Sequence, residues 1–191
     1  SSSAASDVYK RQMDKDMKRN IIVGLTIASL LFALMAVFGS SWLSIDSDDD
    51  VDVDYTLGGV KAGDEGLTLE VDYSELCDES DDDDTCSLAR AGTFGGLFIW
   101  LGIIVTILAG LMMILPMFEI DAMDAIPEIG QKIVPWAAGG LILAGALLWR
   151  ILLPELETDM STGMSFMIAM FAGILGLAAP LMDMFVPVDG E

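Results

Sequence analysis

Residues 21–43 read IIVGLTIASLLFALMAVFGSSWL, an apolar run with no charged side chain and with Trp42 near its end. Wound as a helix at ~1.5 Å per residue, it crosses the ~30 Å hydrocarbon core of a bilayer. Three more blocks share this character: about Phe94 to Phe118, Ile133 to Leu153, and about Ser165 to Val186. The first three hold one ionisable residue, Arg150, and the fourth holds Asp183. The pattern predicts four transmembrane helices. A cleaved signal peptide ending at Gly39-Ser40-Ser41 is the competing reading of the first block. Its apolar stretch exceeds the ~7–15 residues of a signal core and ends in an interfacial tryptophan, which favours a retained anchor.

Composition agrees once the charges are located. The 191 residues are 53% hydrophobic yet carry 30 acidic against 9 basic side chains and no histidine, a formal net charge of −21. Nearly all the charge lies outside the four blocks, which excludes a soluble globular domain. The negative balance repels phosphate and excludes nucleic acid as a partner. Without histidine the chain lacks the commonest general base and zinc ligand. Ser2 to Gln12 match the in-frame translation of a transposase sequencing adapter, so residues 1–12 are expected to be non-native read-through in an assembled shotgun, metagenomic gene. The native chain is then expected to begin at or before Met13.

Lys15, Lys18 and Arg19 precede the first span and predict a cytoplasmic N-terminus. The layout expected is a cytoplasmic segment 13–20, a span over 21–43, an acidic extracellular loop over 44–89, and a span over 94–118. A cytoplasmic loop over 119–132, a span over 133–153, an outer loop over 154–164, a span over 165–186 and a cytoplasmic C-terminus over 187–191 complete it. Both cysteines, Cys77 and Cys86, fall in the first outer loop, where oxidising conditions permit a disulfide. Gly92 with Gly96, Gly140 with Ala144, and Ala172, Gly176 and Pro180 have the small-xxx-small spacing that lets membrane helices approach closely.

The loop from Ser44 to Ala89 carries 17 acids and one base, Lys61. Within it Val51, Val53, Tyr55 and Leu57 alternate with polar residues, as do Leu67, Leu69, Val71 and Tyr73. Period-two alternation predicts two strands, with Gly58, Gly59, Gly63 and Gly66 permitting the turn between them. The fold class expected is an all-α membrane protein, a four-helix transmembrane bundle with a small extracellular β-hairpin in its first loop, a third strand being an option. A lone hairpin is marginal in water, so its apolar face should rest on helix ends or on a partner. That face is the candidate interaction surface. Cys77 and Cys86 enclose Asp81, Asp82, Asp83 and Asp84, and a disulfide there would tie the loop's return to the second span. A calcium loop starting at Asp48 fails, because its glycine position holds Val53 and its twelfth residue is Gly59. Weak divalent-cation binding by Asp81–Asp84 and a solvated acidic surface remain as the two readings.

The layout resembles that of the claudin-like tetraspan proteins. The residues that carry the resemblance are Trp42 after the first span, Cys77 and Cys86, and Arg90 before the second span. The family's Gly-Leu-Trp before the first cysteine is absent; the chain reads Tyr73-Ser74-Glu75-Leu76-Cys77, and Arg90 follows Cys86 closely. The resemblance implies four spans, cytoplasmic termini, a small disulfide-stapled sheet in the first outer loop, and a contact or barrier role without chemistry.

Among the membrane charges, Arg150 sits near the outer end of the third span, where it can snorkel and pair with Glu155, Glu157 or Asp159. Asp183 lies near the inner end of the fourth, after Pro180, as a wetted helix end or an ion-coupling carboxylate. Ile120, Met123, Ile126 and Ile129 suggest a short amphipathic helix on the inner surface, interrupted by Pro127. No nucleophile–base pair, phosphate loop or metal quartet occurs, so neither an enzyme nor a cofactor is expected. The function expected is a non-enzymatic integral membrane protein that contacts a protein partner, or itself, through the outer loop. The alternative is a channel or transporter component whose acidic loop gathers cations; absence of protein-dependent cation flux in liposomes excludes it.

Overall fold

Water-free hydrocarbon obliges every backbone amide to bond within its own segment, and the apolar blocks accordingly form helices. The computed structural model describes residues 15–45, 52–64, 67–80, 82–118, 127–154 and 160–186. Among these residues four helices are long and apolar enough to cross a membrane: α1 (Lys15–Phe38), α3 (Asp83–Ile114), α4 (Glu128–Leu152) and α5 (Met164–Phe185). The chain is thus a multi-pass membrane protein with a mostly helical fold. Even the shortest, α5, has 22 residues and reaches ~33 Å. A short helix, α2 (Tyr73–Ser80), precedes α3, and a 3-10 turn over Leu115–Phe118 ends it.

The helices close a ring in which α1 packs on α5 and α3, and α4 packs on α3 and α5. Their contacts run through small residues. A methyl group added at Gly145 would lie 2.8 Å from the Gly95 carbonyl oxygen, and one at Gly102 would lie 2.6 Å from Ile142 Cγ1, so α3 and α4 touch nearly backbone to backbone. Gly139 faces Gly173 and Gly176 of α5 in the same way. The Ser29 hydroxyl of α1 donates to the Ala172 carbonyl of α5 at 2.8 Å. The predicted spacing therefore holds for Ala172, Gly176 and Pro180, which are buried. Gly92 and Gly96 instead receive Leu57, and Gly140 faces open space among the described residues.

At the end where α1 finishes and α3 and α5 begin, five strands form one antiparallel sheet in the order β4-β3-β2-β1-β5. They are β1 (Leu43–Ile45), β2 (Asp52–Tyr55), β3 (Gly59–Asp64), β4 (Leu67–Asp72) and β5 (Met160–Thr162). This corrects the expected hairpin. Gly59 and Gly63, assigned to a turn, lie inside β3, a strand that separates the two alternating runs and pairs with both. The loop before α5 adds β5, with Leu43 opposite Thr162 and Ile45 opposite Met160. A lone hairpin leaves its edges unpaired, whereas five strands seated on helix ends share their backbone bonds.

Helix α3 begins eleven residues before the expected Phe94, and α4 five before Ile133. Eleven residues add ~16 Å of helix, which stands beyond the apolar block and forms the wall on which α2 packs. Pro127 lies immediately before α4 and so marks a helix start, as a residue without an amide hydrogen suits.

Candidate functional site

The sheet is joined to the bundle through Trp42. The last carbonyls of a helix have no partner within it, and the Trp42 indole Nε1 donates to one of these, Ala36 O of α1, at 2.8 Å. The ring is fully buried, 4.9 Å from Trp149 of α4 and 6.5 Å from Phe166 of α5, both edge-on. Trp149 and Phe166 are 5.7 Å apart. Each such pair contributes about 0.5–1.5 kcal/mol beyond its burial. The Trp42 amide donates to Tyr55 O at 2.7 Å, its carbonyl accepts from Gly163 N at 2.8 Å, and the Ser165 amide donates to Ser41 O at 2.8 Å. One residue thus ties three helices to β2 and to the approach of α5. Trp42 is a buried keystone, which differs from its reading as an interfacial anchor.

Strand register sorts the acidic loop into two faces. Val53, Ala62 and Leu69 stand opposite one another across β2, β3 and β4, as do Tyr55, Val60 and Val71. Asp54, Lys61 and Glu70 form the adjoining row, with Lys61 Nζ 3.3 Å from Glu70 Oε1. The pair is exposed and adds about 0–1 kcal/mol.

The candidate interaction residues do not share one environment. Leu57 is buried against Gly92 and Gly96, where a methyl group at Gly92 would lie 2.5 Å from the Leu57 carbonyl. Tyr73 is buried, its hydroxyl donating to Thr56 O at 3.4 Å and its amide to Gly58 O at 3.0 Å. Burial pushes its phenol well above the ordinary value of 10.0, and the nearby Tyr55 pushes it further. Leu57 therefore seats the sheet on α3, and Tyr73 fastens the start of α2 to the turn between β2 and β3. Tyr55 and Val71 are half-buried, and Val51 lies outside the described residues, as do the side chains of Val53, Leu67 and Leu69.

The disulfide joins Cys77 of α2 to Cys86 in the first turn of α3, with Cα atoms 4.7 Å apart. Closing so short a loop contributes about 2–3 kcal/mol in the chain-entropy account. The aspartates between have structural work of their own. Asp82 is the N-cap of α3: its Oδ2 accepts from the Thr85 amide at 3.2 Å and the Thr85 hydroxyl at 3.0 Å. Asp83 and Asp84 occupy the first turn, where negative charge is favoured by the helix dipole. Asp81 lies outside the described residues. Among those described, no three acidic or cysteine side chains are grouped as metal ligands are.

At the opposite end of the bundle Asp183 has a partner that sequence reasoning missed. Lys18 of α1, its side chain only 10% exposed, reaches across to Asp183 of α5, donating to its carbonyl at 2.8 Å and standing 3.2 Å from its carboxylate. The lysine caps the last turn of a neighbouring helix while pairing with its acid. Arg150 is exposed in the last turn of α4, where a cation is likewise favoured. Its expected partners Glu155, Glu157 and Asp159 lie outside the described residues, as do Ile120, Met123 and Ile126. Trp149 and Phe166 were also missed; the available signal was glycine, because Gly95 makes the space that Trp149 Cβ fills. Neither a protein-family model nor a curated protein sequence matches the chain.

Proposed function

We propose that this chain is a non-enzymatic, multi-pass protein of the cell membrane, with a cytoplasmic N-terminus and no cofactor, whose acidic, disulfide-stapled outer sheet makes contact with another envelope component or a second copy of itself. The observation that carries this reading is the mounting of the sheet. Trp42 is sunk among helix ends, Leu57 is buried against Gly92 and Gly96 of α3, Tyr73 is buried on the turn between β2 and β3, and the disulfide fixes α2 to the extended start of α3. A solvated acidic tail needs no such mount, whereas a recognition surface gains from rigid support. Lys15, Lys18 and Arg19 before the first span support the orientation. The sheet, the disulfide and Trp42 support a claudin-like layout and the contact role that it implies.

The test uses the row Val53–Ala62–Leu69, which lies farther along the strands from the buried Leu57 than Tyr55 does. Serine at both Val53 and Leu69 should lower clustering of proteoliposomes, or cross-linking to neighbours in native membranes, by about tenfold or more. Disulfide formation and helix content should be unchanged. Undiminished association in a folded double variant refutes the proposal.

A further inference from the structure

Beside the disulfide, α2 and the first turns of α3 leave a shallow groove of about 220 Å³. Ser74 and Asp78 line it from α2, and Arg90, Thr93 and Phe94 from α3. The volume falls below the ~300–1,000 Å³ of ordinary small-molecule pockets and suits a small polar group. Arg90 is exposed and makes no ion pair among the described residues, in a chain where bases are outnumbered 30 to 9.

At Phe94 the groove joins an exposed apolar stripe of α3. Phe94, Leu97, Leu101, Ile104 and Leu108 recur every three or four residues along α3 and are each 43–53% exposed. They form the stripe by which α3 meets acyl chains. Arg90 lies one turn before Phe94, ~6 Å farther along the axis, at the level of headgroup phosphates when the stripe is immersed. A guanidinium offers a fork of donors matched to phosphate oxygens, and the Ser74 hydroxyl can add to it, whereas the Thr93 hydroxyl donates to the Ala89 carbonyl at 2.8 Å. Asp78 brings a carboxylate to the same groove, which suits an ammonium and opposes a second negative group.

We infer that this groove binds one phospholipid with a zwitterionic headgroup, its phosphate on Arg90, its ammonium toward Asp78 and an acyl chain along the Phe94 stripe. The inference rests on the membrane placement of the four helices and not on the sidedness or the contact role.

Native mass spectrometry of the detergent-solubilised protein, titrated with phosphatidylcholine, phosphatidylglycerol or diacylglycerol of equal chain length, tests it. A single retained phosphatidylcholine adduct is expected, with phosphatidylglycerol and diacylglycerol weaker. Arg90→Gln should weaken the adduct by about tenfold or more, the loss of a charge-assisted bond, while Arg150→Gln leaves it intact. Ser74→Trp, which places a bulky ring in the groove while the chain keeps Arg90, should weaken it as well. Equal retention in wild type, R90Q and S74W overturns the inference, as does equal retention of the three lipids or displacement by millimolar inorganic phosphate. Flotation with liposomes separates the two levels of failure. A protein that floats but shows no adduct loses only this site, whereas one that does not float loses its membrane placement.

Discussion

Two aromatic residues carry more of this structure than their neighbours do, for opposite reasons. Trp42 satisfies a helix carbonyl with the only polar atom of its side chain and gives the rest of its ring to Trp149 and Phe166. Phenylalanine would keep the ring contacts and leave Ala36 O without that donor; alanine would lose both. Tyr73 is buried with a group that can ionise, which makes it a pH-sensitive fastening. Its folded-state pKa lies above the unfolded value of 10.0 because burial disfavours phenolate. The folded chain therefore holds this proton after the unfolded chain has released it. The stabilisation is complete below pH 10.0 and declines as the pH rises beyond it. An ultraviolet phenolate titration should show one phenol ionising late, together with release of the β2–β3 turn from α2, and Tyr73→Phe should remove that phase. Matching high-pH curves for the two proteins contradict the assignment.

At the scale of elements, the junction between loop and second span is decided by Asp82, the first described residue after α2. As N-cap it starts α3 far ahead of the apolar block and turns what composition marks as an acidic loop into rigid helix. Asp82→Ala should cost about 1 kcal/mol, and Asp82→Asn less because the acceptor survives. The loss should register as faster hydrogen exchange at the Thr85, Cys86 and Ser87 amides, with the apolar part of α3 unaffected. Equal exchange in D82A and wild type contradicts the cap. The apolar blocks were legible in the sequence because exclusion of charge is a property of the segment alone. The strand order was not. Alternation in Val51–Leu57 and Leu67–Tyr73 reveals strands but not what lies between them, and β3 (GVKAGD) lacks the β-branched run that announces a strand. It is a strand because β2 and β4 bond to its two edges. Strand β5 has three residues and, among the described residues, pairs with β1 alone, from more than a hundred positions earlier.

For the whole molecule, the four helices associate where apolar burial supplies no drive, since lipid is as apolar as leucine. Cohesion therefore rests on close approach, on Ser29 and Lys18 bonding across helices, and on the aromatic cluster under the sheet. Small-residue spacing discloses that such contacts exist but not their phase, because adjacent glycines look alike in sequence and point about 100° apart on a helix. Gly139 and Gly140 make the case. A methyl group at Gly139 would lie 2.8 Å from Gly173 O and collide with the backbone of Gly176 and Leu177, forcing α4 and α5 apart, whereas one at Gly140 meets nothing described within 4 Å. Gly139→Ala should therefore destabilise the bundle by about 1–3 kcal/mol, as overpacking does. Gly140→Ala should be neutral or stabilise by up to about 1 kcal/mol through helix propensity. Thermal unfolding in one detergent, followed by intrinsic tryptophan fluorescence, should place the midpoints of these two variants several degrees apart, on opposite sides of wild type or with Gly140→Ala level with it. Loss of stability in Gly140→Ala equal to that in Gly139→Ala would mean that α4 presents a different face to α5.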